Sequence, residues 1–408
     1  MELNRAYRQT ELGLIPSDWR VASVSEAFEV CNHLRLPISR TVREKIPGPF
    51  PYYGPTSVQG WINEFRLEGT FALIGEDGDH FLKWATQPMT LLVSGKFNVN
   101  NHAHVIKGTA NSAAWFYWFF AHRDLTSSLT RQGASRYKLT KEGLLQLPCA
   151  LPPPEEQLAI TTALSDVDAL IAGLERLIAK KRDIKQATMQ QLLTGQTRLP
   201  GFSGEWKIKT LIELAERKKE LFDDGDWIEA EHIRSAGIRL IQTGNIGVGC
   251  FVEKDNKKFI DDKSFALLGC KELRAGDLLI CRLADPAGRA CVLPEIDEDR
   301  VVTSVDVTIF RPPTGAVNRH FLSYVFSTSE WFKAVSDRSG GTTHKRIARG
   351  ALGRIGIKLP NLPEQTAIAT ILSDMDADLS ALESRLTKTR ALKQGMMQEL
   401  LTGRTRLV

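Results

Sequence analysis

No apolar run in this chain is long enough to span a bilayer: the longest, residues 113–121, falls far short of the roughly 20 required. The opening MELNRAYRQTELG lacks the apolar core of a secretory signal. No membrane location is expected, and a cytoplasmic one is. None of the six cysteines (Cys31, Cys149, Cys250, Cys270, Cys281, Cys291) forms a C-x-x-C pair, so reduced, buried thiols are expected in place of redox or zinc-ribbon sites. Neither sign of charge dominates, with 53 Lys and Arg against 48 Asp and Glu. A composition of 42% hydrophobic and 25% charged residues excludes disordered and collagenous classes. Enzymatic signatures are missing too. There is no G-x-x-x-x-G-K-[ST] phosphate loop, no G-x-G-x-x-G, no G-x-S-x-G elbow and no H-E-x-x-H zinc helix. Arg311-Pro312-Pro313-Thr314 has the wrong residues to bind an exocyclic amine, and a non-catalytic chain is expected.

What the sequence does contain is a repeat. At about 150 residues per domain, 408 residues leave room for two or three domains. Laid on itself at an offset of 208, the segment 157–199 matches 365–407 without a gap, with 24 of 43 positions identical. The shared skeleton is EQ-x-A-I at Glu156 and Glu364, LSD-x-DA at Leu164 and Leu372, and LLTG-x-TRL at Leu192 and Leu400. Ile160, Leu164, Val167, Ile171 and Leu174 alternate spacings of four and three, as do Ile368, Leu372, Met375, Leu379 and Leu382. Each copy therefore predicts a long helix with a narrow coiled-coil seam. Prolines at 152–154 and 363, followed by Glu155, Glu156 and Glu364, suit the helix starts. Gly195 and Gly403 suit the ends, and about 38 residues make a rod of roughly 57 Å.

Outside the long helices, residues 20–150 and 207–358 show short β-like runs at 70–74, 90–93, 278–282 and 301–310. Each stretch also carries one late apolar helix, 115–122 after Asn111 and 320–326 after Asn318. The fold class is mixed α/β (α+β), with a pseudo-twofold internal repeat. The aromatic run WFYWFF reads as core rather than as a base-stacking platform.

The small positive excess gathers just before each helix. RQGASRYKLTK supplies Arg131, Ser135, Arg136, Tyr137 and Lys138, and RSGGTTHKRIARGALGR supplies Arg338, Thr342, Thr343, His344, Lys345 and Arg346. Small residues there allow close approach to a phosphate while the flanking cations neutralise it, and the same pattern at the same place in both halves points to nucleic acid. A second cluster, Glu76, Asp77 and Asp79 with His102 and His104 alternating on one strand face, has the ligand types of a divalent-ion site. The plainer reading is a turn and a strand with locally bonded histidines, and no metal site is expected.

Taken together, T-x-L-G-x-I-P-x-D-W at Thr10 to Trp19, the EQ-x-A-I helix starts and the LLTG-x-TRL ends resemble the DNA-specificity subunit of type I restriction-modification systems. YYGPT at Tyr52, LIGEDG at Leu73 and GKF-x-VNNHAHV at Gly95 look like one type of target-recognition domain, and AGDLLICR at Ala275 looks like another. The resemblance implies a first target-recognition domain over 1–150, a spacer helix over 151–198, a second recognition domain over 199–358 and a second spacer helix over 359–408. The helices would pack antiparallel, their seam residues offering a docking surface to two modification subunits, and Leu407 would return to the first head. The implied partners are double-stranded DNA, two adenine-methylating modification subunits and restriction subunits. S-adenosylmethionine, ATP and Mg would belong to those partners, with no cofactor in this chain. A coiled-coil scaffold without a DNA role, or a metal-dependent nuclease, are the alternatives.

Overall fold

The computed structural model describes residues 7–132, 136–283, 286–341 and 345–407. It divides into two compact units, residues 1–175 with 384–408 and residues 176–383. The helices Pro154–Thr194 and Leu362–Leu400 run for 41 and 39 residues, so each unit joins one head to the adjoining part of both.

In the first unit the head is built on a six-stranded sheet ordered Phe28–Val30, Ala103–Gly108, Leu67–Gly75, Thr90–Val99, Pro47–Tyr53, Val58–Ile62. The aromatic run forms the helix Ala113–Phe120, where Trp115, Phe116, Trp118, Phe119 and Phe120 are all buried. These rings are core, as the sequence reading had it. The cap is Ser112, not Asn111, whose amide instead donates to the Ala27 carbonyl. In the second unit, Phe222–Asp224, Val307–Phe310, Leu278–Cys281 and Ala290–Val292 form a four-stranded sheet. Lys258–Ile260, Ile238–Ile241 and Val301–Thr303 form a three-stranded one. The run 301–310 is thus two strands and not one, broken at 304–306 because its halves serve different sheets. Helix Arg319–Val325 is capped by Asn318 as expected.

Both heads are closed in the same way. Arg20–Ser23 pairs antiparallel with Pro148–Leu151, and Lys207–Thr210 with Gly356–Leu359, so each head's entry strand lies beside the strand that leads into a long helix. Gln157 and Gln365 then fasten the helix starts. Each side chain donates to a proline carbonyl, of Pro152 or Pro360, and accepts from a backbone N–H, of Ser112 or Asn318. The first two seam positions of each copy, Ile160 with Leu164 and Ile368 with Leu372, belong to the head cores. Farther along, Leu174 and Leu379 are buried, while Val167, Ile171, Met375 and Leu382 are half-buried.

Ion pairs show the two strands of each helix pair running antiparallel within each unit. Lys393 pairs with Asp168 and Arg390 with Glu175 in the first, and Lys181 with Asp378 and Lys185 with Asp376 in the second. Each helix end is clasped to the start of the other helix. Arg198 grips Glu364 at 2.5 and 2.6 Å, and Arg406 grips Glu156 through Nε and through Nη2 at 2.6 Å. Trp206 lies beside Arg198 and Trp19 beside Arg406, each centroid 5.8 Å from the guanidinium. Gly195 and Gly403 sit beneath these rings at φ +73° and +71°, where a side chain would be strained and would meet Trp206 or Pro16 and Trp19. The Tyr7 hydroxyl donates to the Gly403 carbonyl at 3.1 Å, so sequence-distant segments meet as the expected return of Leu407 requires.

By length and composition alone, Pro154–Thr194 contains a window apolar enough to cross a membrane, which the count of uninterrupted apolar residues missed. Its Asp168 and Glu175 are paired with the second helix, and its apolar side chains Ile160 and Leu164 lie in a head core. Five of the cysteines are buried as expected, with burial pushing Cys149 and Cys291 to about 12, but Cys250 is exposed.

Candidate nucleic-acid interface

The basic segment of the first head is a ribbon, Thr130–Gln132 paired antiparallel with Arg136–Lys138. Ser135 lies outside the described residues, as does the side chain of Arg136. In the second head Gly340 and Arg346 exchange both backbone hydrogen bonds, at 3.0 and 2.9 Å, closing a similar loop. Thr342, Thr343 and His344 are outside the described residues.

Charge pairing sorts the described cations into two kinds. Arg131 donates to the Tyr137 hydroxyl at 3.2 Å, Arg338 to the Ala334 carbonyl at 2.8 Å, and Lys345 lies 3.4 Å from the Ser336 hydroxyl. These partners are neutral, so the three positive charges stay available to an anion. Lys138 and Arg346 instead face carboxylates, Glu76 at 3.2 Å and Asp306 at 2.8 Å.

Glu76 stands at the foot of the first ribbon. Burial pushes its pKa up, but the Arg35 guanidinium at 2.6 Å, with His104 and Lys138 nearby, outweighs burial and holds it below the usual carboxylate range. Its backbone accepts from Leu139 N–H and its own N–H donates to the His102 carbonyl, both at 2.8 Å. His104 is fully buried, with Nε2 2.8 Å from the Leu139 carbonyl and Nδ1 2.9 Å from the Asn32 amide. That pattern fits a neutral ring donating from Nε2 and accepting at Nδ1. His102 lies in the turn before strand Ala103–Gly108 and is half exposed, its Nδ1 3.0 Å from Asp77. The two histidines therefore do not share a strand face as the sequence reading had it. No metal-binding group of three or more His, Cys, Asp or Glu occurs among the described residues.

Burial, the largest influence, lowers the pKa of His104 and of His80 below 6.5. Between the folded values and 6.5 the unfolded chain binds more protons, so this contribution is complete above pH 6.5 and declines as the pH falls below it. Urea midpoints at pH 7.5 and 5.5 are expected to show this fall, and His104→Gln is expected to shrink it. An identical fall in that variant would exclude His104 as a source.

In the second head the corresponding foot is Arg282, nearly buried. Its Nε lies 3.0 Å from Asp224, and its Nη atoms donate to the Ile347 and Val305 carbonyls at 3.2 and 2.5 Å. Burial raises the Asp224 pKa against the opposing pull of Arg282. Neither Asp224 nor Asp306 was singled out from the sequence, which offered only the break in apolar character at 304–306 as a signal.

The family described as the type I restriction modification DNA specificity domain matches residues 16–181 and 203–390, one copy through each half of the repeat, and the chain belongs to that family. S.HindORF215P of Haemophilus influenzae is 26% identical, over 92% of both chains. The type I restriction enzyme MjaVIII specificity subunit of Methanocaldococcus jannaschii is 22% identical over 96% of this chain and 94% of its own. The type I restriction-modification system S subunit from M. genitalium shares the fold, with a TM-score of 0.62 over 98% of each chain at 13% identity. The chain is thus a type I restriction-modification DNA specificity subunit, and neither the scaffold nor the nuclease reading has support.

Proposed function

We propose that this chain reads a bipartite DNA site without catalysing any reaction itself. Each head acts as a target-recognition domain for one half-site, and the two long helices form an antiparallel coiled coil that joins the heads and receives two modification subunits. S-adenosylmethionine belongs to those subunits, which methylate adenine. Restriction subunits, with ATP and Mg, complete the cytoplasmic complex. The observation that carries this reading is the basic segment at the same place in both heads, where Arg131 in one and Arg338 and Lys345 in the other have no carboxylate partner among the described residues. Phosphate contacts of that kind position a protein on a duplex without specifying sequence.

Modification-sensitive sequencing of cells carrying the chain with its modification subunits tests the proposal. The expected result is methylated adenine in a motif of two specified half-sites around an unspecified gap. A single undivided motif would contradict the two-head assignment.

A further inference from the structure

The heads share little sequence, yet their ribbons meet the sheet through one backbone arrangement. In the first head, Leu139 N–H donates to the Glu76 carbonyl, Glu76 N–H donates to His102, and Asp77 bridges Lys138. In the second, Ile347 N–H donates to the Arg282 carbonyl at 3.0 Å, Arg282 N–H to Asp306 at 2.7 Å, and Leu283 bridges Arg346. Three segments therefore coincide: a strand end at 76–77 or 282–283, a turn ending at 102 or 306, and a ribbon strand ending at 138 or 346. The charge at the strand end is inverted, Glu76 against Arg282. Each is compensated on its own side, by Arg35 and Lys138 or by Asp224.

On this common base each head presents one planar nitrogen group paired with an aspartate. Arg346 Nε lies 2.8 Å from Asp306, and His102 Nδ1 lies 3.0 Å from Asp77. Both side chains are about half exposed, at 45% and 48%. Among the described residues, Arg346 Nη1 and Nη2 and His102 Nε2 have no hydrogen-bond partner. In both heads the aspartate faces the inner nitrogen and leaves the outer ones free; at His102 a hydrogen bond to Asp77 sets the plane of the ring, and at Arg346 the contact with Asp306 is an ion pair that places the negative charge on the Nε side of the guanidinium. A phosphate needs only charge, whereas a base edge needs a group fixed in orientation.

We propose that Arg346, paired with Asp306 on its Nε side, reads a guanine in the second half-site through its free Nη fork, and that His102, oriented by Asp77, is a base-edge contact of the first. A guanine presents O6 and N7 to the major groove at the spacing of that fork. The reader comes from the ribbon in one head and from the turn in the other, so one backbone arrangement serves two different half-sites. The inference rests on the DNA-reading function and divides the ribbon cations by role: Arg131, Arg338 and Lys345 for phosphate, Arg346 for a base.

The test uses the chain assembled with its modification subunits, comparing Arg346→Lys, Arg346→Ala, Asp306→Asn and His102→Ala. Arg346→Lys keeps the charge and loses the fork. Both Arg346 variants are expected to weaken the preference for guanine at one position of the second half-site by about ten- to a hundredfold, leaving the first half-site motif intact. Asp306→Asn is expected to relax the same position, and His102→Ala one position of the first half-site only. The salt dependence of Arg346→Lys binding should match that of the unmodified chain. An unchanged motif with Arg346→Lys, together with a uniform loss over all sequences with Arg346→Ala, would make Arg346 a phosphate contact and overturn the inference. If the unmodified complex yielded no bipartite motif, the DNA-reading function itself would fall, and this proposal with it.

Discussion

Arg406→Ala is expected to destabilise the first unit by about 3 kcal/mol or more, because it strands a buried carboxylate. Glu156 is fully buried, and Arg406 reaches it with two nitrogens while pairing with Asp18 at 2.8 and 3.0 Å. Those hydrogen bonds hold the Arg406 pKa above the usual arginine range. Without the guanidinium, Glu156 keeps only the Trp19 Nε1–H at 3.0 Å among its described partners. Removing a partner from a buried pair costs far more than losing an exposed one. Asp18 is 56% exposed, so Asp18→Asn should change stability by no more than about 1 kcal/mol. Arg406→Lys should fall between the two, since an ammonium cannot reproduce the planar fork. Urea unfolding of the three variants gives the order directly, and equal effects of Arg406→Ala and Asp18→Asn would show that the clasp carries no stability.

The repeat made the long helices legible in the sequence, because a gapless match with a four-three apolar spacing has no β-strand explanation. The clasp was only half legible. Glu156 and Glu364 were read as favouring a helix dipole, and Arg198 and Arg406 as parts of an end motif. Their pairing needs the antiparallel register, which one sequence does not state. The heads were the least legible. At 301–310 a single β-like run hid a change of sheet, and the carboxylate that pairs with Arg346 lies between its two halves. Residue type identified the ribbon as basic, but could not separate Lys138, tied to Glu76, from Arg131, whose described hydrogen bond is to a neutral hydroxyl. That distinction depends on where the acids fold, and with it the division between gripping a backbone and reading a base.

The triple substitution Arg131→Ala, Arg338→Ala and Lys345→Ala is expected to weaken DNA binding by the assembled complex and to change its salt dependence. Each of the three is an exposed cation without a carboxylate partner among the described residues. Each phosphate contact displaces condensed counterions and contributes about 0.9 to the slope of log affinity against log salt, so losing three should flatten the slope by about 2.7. Between 50 and 200 mM salt, binding by the variant should then fall roughly fortyfold less than binding by the unmodified chain. The methylated motif should keep both half-sites, because these contacts position the duplex and carry no base information. Replacing Arg131 and Arg338 by lysine and leaving Lys345 in place should restore most of the slope, since phosphate responds chiefly to charge. Titrations of a matched and an unrelated duplex across that salt range measure all of this. A slope unchanged by the triple substitution would remove the ribbons from the DNA interface, whereas a flattened slope with an altered motif would reassign at least one of the three to base reading.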